Sequence, residues 1–319
     1  MIENREIQGL LAGEHSSFAH LAFFESVCDS IRKADVPTSK ENLYFLRRGA
    51  HLFNTFWRRE LFQGDIILSE SIFEYPSLYK RLLNKKLKII ELFASPKIFK
   101  MYQGELDPFS SALFRSLICK VDGFVTVSKM CAGFLKDKGI EAPLEIIYPF
   151  INDEKYKILS GGEYSPESKT IVCIGFPTEY KGIDLAIKVF DKLANKDKNL
   201  KLRIITKELL PKYLAGVKNA DKITVGPIPN DVNFCNELQN ALLCLHFGRY
   251  DTFPISTLET MLAGVPTFVS NLTGTREVTE TVDKKFVLGF DEAENIERLE
   301  WFFTLSQKEK IKDPMTLRS

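Results

Sequence analysis

The 319-residue chain has few of the features that mark membrane, secreted or metal-binding proteins. Its six cysteines are scattered without a C-x-x-C pair, which argues against a zinc site and a disulfide framework and fits a reducing compartment. No apolar run approaches the length of a membrane span. The first residues carry acids where a signal peptide would be basic and then apolar. We therefore expect a soluble cytoplasmic protein.

The net charge and the absence of two motifs argue against nucleic-acid-binding proteins, metal-binding proteins and dehydrogenases. The formal net charge is +1, so no global field favours a nucleic-acid partner. No D-x-D pair appears, and His15 and His20 do not share a helical face, so we expect no metal site. No G-x-G-x-x-G motif follows the first strand of either half, which disfavours a nicotinamide dehydrogenase. We expect no cofactor.

Short apolar runs alternate with longer helical patterns, which indicates an α/β protein with parallel sheets covered on both faces. The predicted strands are 6–12, 41–47, 65–71, 87–93, 123–128, 144–150, 170–176, 200–206, 223–228, 241–247 and 265–270. The clearest helical patterns are 18–33, 110–121, 182–195 and 294–312. This alternation predicts two doubly wound domains, each long enough to bury its own core.

The polar stretch 152–169 is the best candidate for a linker between the two domains. It divides the chain into an N-terminal domain, 1–151, and a C-terminal domain, 170–293. Residues 294–319 are expected to form a helix and tail that pack back toward the N-terminal domain. Ligands of doubly wound sheets bind beyond the carboxyl ends of the strands, so the expected site is a cleft between the domains.

Two acids stand eight residues apart in RYDTFPISTLETMLAGVPTFVS, residues 249–270. The strand 241–247 delivers Asp251 to its carboxyl end. Ser256 or Thr257 can cap a helix that follows, whose free backbone N–H groups form an anion site. Glu259 would then lie in the first turn, where its carboxylate can reach the hydroxyls of a ligand. The alternative for Glu259 is a charged first turn that merely suits the helix dipole.

A second landmark is CIGFPTEYKGIDLAI, residues 173–187. A strand ends at Gly175, a loop follows, and Lys181-Gly182 opens a helix. A lysine at this place offers a point charge to a phosphate group. Taken alone this stretch favours an ordinary surface lysine, because lysines are common at the starts of helices.

Together these stretches resemble the C-terminal domain of GT-B glycosyltransferases. The resemblance is to the retaining family 4 type, which includes sucrose and glycogen synthases and many bacterial and archaeal mannosyl- and glucosyltransferases. Its hallmark is an acid, seven residues and a glutamate in a Phe-containing loop that leads into a helix. Further similar segments are 263–266, 274–278, 127–128 and 148–150. The resemblance is strong over 170–280 and diffuse over 1–150.

The resemblance implies two Rossmann-like domains and a nucleotide-diphosphate sugar donor held by the second one. Glu259 would hold the ribose hydroxyls, and Asp251 would contact hydroxyls of the transferred hexose. Lys181 would neutralise the leaving diphosphate, so Lys181 and Asp251 are the implied catalytic residues. The other implied donor-binding residues are Gly175, Phe253, Pro254, Ile255 and Ser256. Transfer would proceed with retention, without a metal ion and without a protein base.

The chain departs from the family pattern at the site. Phe176 stands where an arginine usually partners the lysine, and Arg249, Lys207 and Arg276 are candidates to compensate for that cation. The first domain has no histidine after its fourth strand, 87–93. On the acceptor side, Gly13 and His15 follow the first strand, and His15 is the only histidine expected near the cleft.

Other interpretations remain open. The leading hypothesis is a hexosyltransferase acting on a sugar, lipid-linked or protein acceptor. A degenerate GT-B protein that binds nucleotide sugar and transfers little is the alternative, and a GT-B epimerase lacks the acids and histidines it would need. The basic-aromatic segments 44–62 and 79–88 fit contact with an anionic membrane surface, but a core-facing aromatic stripe with a solvated basic edge is favoured.

Overall fold

The computed structural model describes residues 7–12, 44–46, 65–70, 73–176, 178–228 and 230–312. The chain divides into two compact units, Met1–Pro149 and Phe150–Ser319. The predicted helix 18–33 and most of the basic-aromatic segment 44–62 lie outside the described residues. Among the helices that the structure describes, none is long and apolar enough to cross a bilayer.

The first unit contains one parallel six-stranded sheet in the order β2-β1-β3-β4-β5-β6. Its strands are β1 (Ile7–Ala12), β2 (Tyr44–Leu46), β3 (Ile66–Glu70), β4 (Lys88–Phe93), β5 (Gly123–Thr126) and β6 (Leu144–Ile146). Its described helices are α1 (Glu74–Leu82), α2 (Lys97–Gln103), α3 (Pro108–Ile118) and α4 (Lys129–Asp137). Strands β3 and β4 are mostly buried, as expected for a parallel sheet with both faces covered.

The second unit contains another parallel six-stranded sheet, in the order β12-β11-β10-β7-β8-β9. Its strands are β7 (Thr170–Ile174), β8 (Lys201–Ile205), β9 (Ile223–Gly226), β10 (Leu243–His246), β11 (Thr267–Ser270) and β12 (Val287–Leu288). Its helices are α5 (Asp153–Ser160), α6 (Ile183–Lys196), α7 (Asp231–Gln239), α8 (Ile255–Leu262), α9 (Arg276–Thr279), α10 (Glu292–Thr304) and α11 (Gln307–Lys312). The strand order reverses between β7 and β10, the place where doubly wound sheets bind ligands.

Each strand predicted from the sequence is present, and the α/β class with parallel sheets is confirmed. The predicted helices 110–121 and 182–195 correspond to α3 and α6. Strand β12 was not predicted, because two residues are too few to produce an alternating or apolar run.

Helix α5 lies inside the segment 152–169 that the composition indicated as a linker. The side chain of Asn152 caps it by accepting a hydrogen bond from the Lys155 N–H at 2.9 Å. Leu159 is fully buried and packs in a core cluster with residues of α7 and α8. The cap, Leu159 and the partly buried Ile158 and Tyr164 attach this mostly polar stretch to the second unit.

The predicted single helix 294–312 is wrong, because the chain breaks into α10 and α11 at Ser306. The Ser306 Oγ and N–H both bond to the Glu309 carboxylate, at 2.6 and 2.8 Å, which starts a new helix. Leu299 and Phe302 of α10 lie in the core cluster that contains the buried face of α6. The packing of 294–319 toward the first unit stays a prediction.

Helix α6 begins immediately against the end of β10. Gly182 has a φ of +68°, and a Cβ built on it would lie 1.9 Å from the Phe247 carbonyl oxygen. Only glycine fits a backbone contact this close. The apolar face of α6 then covers the sheet, with eight buried residues from Ile183 to Ala194. This packing sets where the loop before α6 meets the loop after β10.

Candidate functional site

The candidate site lies at the carboxyl ends of β7 and β10 in the second unit. The loop 175–182 follows β7, and the loop 247–254 follows β10. The Arg249 N–H donates to the Tyr180 carbonyl at 2.8 Å and joins the two loops. The Asp251 N–H donates to the Leu272 carbonyl at 3.1 Å, which ties the β10 loop to the segment after β11. Three loops of one unit thus meet around Asp251.

Asp251 is the centre of a buried charged cluster. It is 3% exposed, and its Oδ2 atom accepts hydrogen bonds from Lys181 Nζ at 2.7 Å and from His246 Nε2 at 2.9 Å. The Tyr180 hydroxyl lies 3.3 Å from Oδ1. Burial acts to raise the pKa of Asp251, but the charge of Lys181 and the hydrogen bond from His246 outweigh it and hold this pKa well below its usual range. Asp251 is therefore a carboxylate at neutral pH.

Lys181 projects from a short 3-10 helix, Glu179–Lys181, that precedes α6. Its side chain keeps 23% exposure and lies over the Tyr180 ring, 5.3 Å from the centroid. A Cβ at Gly175 would lie 3.3 Å from Lys181 Cγ, so the lysine stem runs directly against the end of β7. The ammonium is thereby held beside Asp251 while remaining accessible to a ligand.

Glu259 forms a second lysine–carboxylate pair on α8. It is 9% exposed, and its Oε1 atom lies 2.7 Å from Lys155 Nζ. Lys155 also pairs with Asp231 at 3.1 Å and lies over the Phe234 ring. Burial raises the pKa of Glu259 more than Lys155 lowers it, whereas the two carboxylates raise the pKa of Lys155 despite its burial.

The start of α8 differs from the sequence prediction. The helix begins at Ile255 after Pro254 and has no side-chain cap, so the prediction that Ser256 or Thr257 caps it is wrong. The Thr257 hydroxyl instead donates to the Pro254 carbonyl at 2.7 Å, inside the first turn. Glu259 consequently lies in the second turn and not in the first. The Thr257 N–H donates to the Pro254 carbonyl at 3.1 Å, and the N–H groups of Ile255 and Ser256 precede the first carbonyl of the helix that could pair with them.

A family comparison matches most of this unit. Residues 160–310 match the family model described as glycosyl transferases group 1. A Haemophilus influenzae protein named as an uncharacterized glycosyltransferase is 29% identical over 138 residues. That match covers 42% of this chain and 38% of the relative, so the two share about one domain's length.

Solved structures share the fold of the chain. Anabaena HepE in complex with UDP and glucose has a TM-score of 0.70 at 10% identity, over 98% of this chain and 94% of that one. Sucrose-phosphate synthase from Thermosynechococcus elongatus has a TM-score of 0.67 at 10% identity, over 98% and 95%. These likenesses show two Rossmann-like domains of the GT-B fold.

Within the second unit, the three candidate cations differ in their surroundings. Arg249 makes a two-pronged pair with Asp184, at 2.8 and 2.9 Å. Arg276 pairs with Glu280 at 3.3 Å on the exposed side of α9, and Lys207 is exposed just after β8. Phe176 is 61% exposed beyond β7. Arg249 lies beside the loop of Lys181, and its guanidinium is already bound to Asp184.

The predicted donor-binding loop 253–256 connects Asp251 to α8. The Phe253 side chain is 5% exposed and Pro254 is also buried, whereas Ile255 and Ser256 are half-buried. The Thr257 and Thr275 hydroxyls bond to each other at 2.9 Å and fix the helix start against the segment before α9. Phe253 therefore anchors the loop, and Ile255 and Ser256 present its outer side.

The sequence prediction missed two residues of the site. The expectation that His15 is the only histidine near the site is wrong, because β10 ends with His246 against Asp251. The available signal was a histidine at the end of an apolar strand, five positions before Asp251. Lys155 belongs to no motif, and its side chain reaches Glu259 only because α5 packs against α8. Gly13 and His15 themselves lie outside the described residues.

Proposed function

We propose that the chain is a glycosyltransferase that moves a hexose from a nucleotide-diphosphate sugar to an acceptor. The observation that carries the proposal is the pair of buried carboxylates, Asp251 and Glu259, each held by a lysine at the switch point of a group 1 domain. Retention of configuration, independence of metal ions and membership of the retaining family 4 type belong to the proposal as well.

The donor would lie along α8, with its two ends at the two acids. Glu259 would accept hydrogen bonds from the ribose hydroxyls once Lys155 turns aside. The diphosphate would lie at the start of α8, where free N–H groups and the helix dipole favour negative charge. Lys181 would neutralise the charge that develops on the leaving diphosphate, and Asp251 would contact a hydroxyl of the hexose.

The proposed reaction balances without a further reagent. The bond between the sugar C1 and the diphosphate oxygen breaks, and a bond between C1 and the acceptor oxygen forms on the same face. The acceptor's proton passes to the departing phosphate, so no protein base is required. The products are the nucleoside diphosphate and the glycosylated acceptor, which is a sugar, a lipid-linked sugar or a protein.

Uridine is the base to test first, because the Anabaena protein with the same fold holds UDP and glucose. A nucleotide-sugar-binding protein with little transfer is the second candidate. The exposed Phe176 favours it, since a phenyl ring supplies no charge to a leaving diphosphate.

Thermal unfolding with UDP, GDP, ADP and their common sugar conjugates tests the proposal. A ligand that binds only the folded state raises Tm, so one nucleotide should give a clear rise that Glu259→Ala abolishes. Glu297→Ala, at an exposed position on α10, is the matched control and should keep the rise. No rise with any nucleotide would contradict donor binding. Binding without turnover over a panel of acceptors would favour the second candidate.

A further inference from the structure

We propose that His246 is a positioning residue that takes up a proton when the donor binds, and so replaces Lys181 as the cation beside Asp251. This inference rests on the proposed function, because it needs a diphosphate that draws Lys181 away. The probe for it is a nucleotide-diphosphate sugar.

One carboxylate oxygen serves two nitrogen donors in the ligand-free site. Lys181 Nζ and His246 Nε2 lie 2.7 and 2.9 Å from the same atom, Asp251 Oδ2. The His246 side chain is 2% exposed, whereas that of Lys181 is 23% exposed. The partly exposed Lys181 side chain can therefore turn toward a ligand, whereas the buried His246 side chain stays beside Asp251.

The backbone holds the histidine and the acid together. A Cβ at Gly248 would lie 2.7 Å from His246 Nε2 and 2.9 Å from Asp251 Cβ. Tyr250, between them, has a φ of +59°, which non-glycine residues rarely adopt. The Gly274 N–H donates to the Asp251 carbonyl at 2.8 Å. The turn is folded so tightly that Asp251 cannot follow Lys181 outward.

The departure of Lys181 would leave a buried carboxylate without a cation. Removing one partner of a buried ion pair is strongly unfavourable, because the remaining charge is not solvated. Histidine is the side chain that takes up a proton near neutral pH, and an imidazolium at His246 would restore the balance. Asp251 would stay ionised, and the oxygen position that Lys181 vacates would become available to a hexose hydroxyl.

Of the groups around Asp251, His246 is the one proposed to take up the proton when the donor binds. Burial raises the pKa of Cys244, on the same strand, to about 12. Glu259 of α8 is paired with Lys155, and Arg249 is paired with Asp184. Besides Asp251 itself, the groups around His246 are Lys181 and the Tyr180 hydroxyl from the loop before α6. The Ser270 hydroxyl at the end of β11 and the Thr273 hydroxyl just after it carry no charge.

Titration calorimetry in two buffers of different ionisation enthalpy measures the proton directly. The probes are UDP-glucose, GDP-mannose and ADP-glucose, whose diphosphate diesters keep a constant charge between pH 6 and 8. Wild-type protein should take up a fraction of a proton per bound donor at pH 7. His246→Gln keeps an N–H donor toward Asp251 but cannot take up a proton, so its uptake should vanish. Uptake that persists in this variant would overturn the assignment to His246.

Donor affinity should also depend on pH through the same group. Because the bound state holds more protons, the affinity rises as the pH falls. The wild-type Kd should therefore increase from pH 6 to pH 8. The Kd of His246→Gln should remain constant over this range. Parallel pH profiles for the two proteins would overturn the inference.

A measurement without donor separates this inference from the proposed function. In Lys181→Met, the histidine is the remaining cation source for Asp251, so the NMR titration midpoint of the His246 imidazole should move to higher pH. An unchanged titration midpoint in Lys181→Met would contradict the proposal that His246 replaces Lys181 as the cation beside Asp251. If no donor binds to wild-type protein while the midpoint moves, the proposed function and the donor-linked proton uptake fail together, and only the pairing stands.

Discussion

The two candidate acids show how a lysine partner and burial decide the state of a carboxyl group. Asp251 has two nitrogen donors on one oxygen, and its pKa lies well below the usual range although burial opposes this. Glu259 has one described donor, Lys155. The effect of burial exceeds that of Lys155, so the pKa of Glu259 is raised. The more strongly held acid is the one beside the lysine proposed for the diphosphate.

The Lys181→Ala change tests the role of the lysine in the transition state. If Lys181 neutralises charge that develops only as the diphosphate leaves, kcat should fall about 10²-fold while KM for the donor changes little. Steady-state kinetics with the donor found by thermal unfolding measures both constants. A rise in KM at constant kcat would make Lys181 a ground-state binding residue. Lys192→Ala, at an exposed position on α6, should leave both constants unchanged.

The Asp251→Asn change tests the buried carboxylate through stability. A group whose pKa is lowered by folding stabilises the protein above its unfolded pKa of about 4, and this stabilisation is lost as the pH falls below that value. The change should therefore lower the free energy of unfolding by about 3 kcal/mol at pH 7. The difference from wild type should shrink between pH 4 and pH 2.

Urea unfolding followed by Trp301 fluorescence, in a Trp57→Phe background, would report on the second unit at each pH. A difference that stays constant from pH 7 to pH 2 would show that the ionised form of Asp251 contributes nothing to stability. Asp221→Asn, in a 3-10 helix before β9, is the control for a general effect of removing one carboxylate.

Single residues were predictable from the sequence only where a motif carried them. Asp251, Glu259 and Lys181 belong to spaced patterns, and the structure brings Asp251 and Lys181 together. His246 and Lys155 were not predicted, because their contacts depend on where β10 ends and on how α5 packs against α8. Pairing between a side chain and a distant acid is decided by packing, which spacing along the chain does not encode.

At the scale of elements, the junction between the start of α6 and the end of β10 places Lys181. Gly182 permits the approach because its Cα faces the Phe247 carbonyl group without a side chain. Any shift of α6 would move the 3-10 helix before it, and Lys181 with it. The position of a catalytic candidate thus depends on the backbone contact of a neighbouring glycine.

The Gly182→Ala change should therefore lower the free energy of unfolding by more than the same change at an ordinary glycine with positive φ. Its Cβ would clash with backbone, in addition to the strain at a φ of +68°. Gly216 has a φ of +77° and no atom within 4 Å of an added Cβ, so Gly216→Ala is the matched control for the strain alone. We expect the control to cost about 1 kcal/mol and Gly182→Ala roughly 3 kcal/mol or more, measured by urea unfolding. Equal costs would show that the close contact is unimportant.

Helix boundaries were less predictable than the helices themselves. The pattern of apolar residues located α3 and α6, whose buried faces are long enough to show a period. The break between α10 and α11 depends on the capping interactions of Ser306 with Glu309, and the start of α8 depends on Pro254. Such local competition between caps shifts boundaries by a few residues without changing the periodicity.

At the scale of the molecule, the proposed donor site belongs to one unit. Asp251, Glu259, Lys181, Lys155 and His246 all lie within 150–319, and this unit has its own buried clusters. We therefore expect residues 150–319, produced alone, to unfold cooperatively and to bind the donor nucleotide with a Kd within about tenfold of the whole chain.

Calorimetry on the isolated unit would check this expectation, with Glu259→Ala in the same unit as the control. The isolated unit should show no transfer, because the acceptor is expected to bind the first domain. A folded unit that fails to bind any nucleotide which the whole chain binds would place part of the donor site in residues 1–149.

The sequence by itself determined the α/β class, the course of the strands and the stretches that carry Asp251, Glu259 and Lys181. Apolar runs, helical periodicity and short motifs are local properties, and a single chain displays them directly. Only the tertiary structure decided that Asp251 shares one oxygen between Lys181 and His246, and that Lys155 covers Glu259. Those contacts join residues of separate elements, and their distances follow from strand order and helix packing rather than from sequence separation.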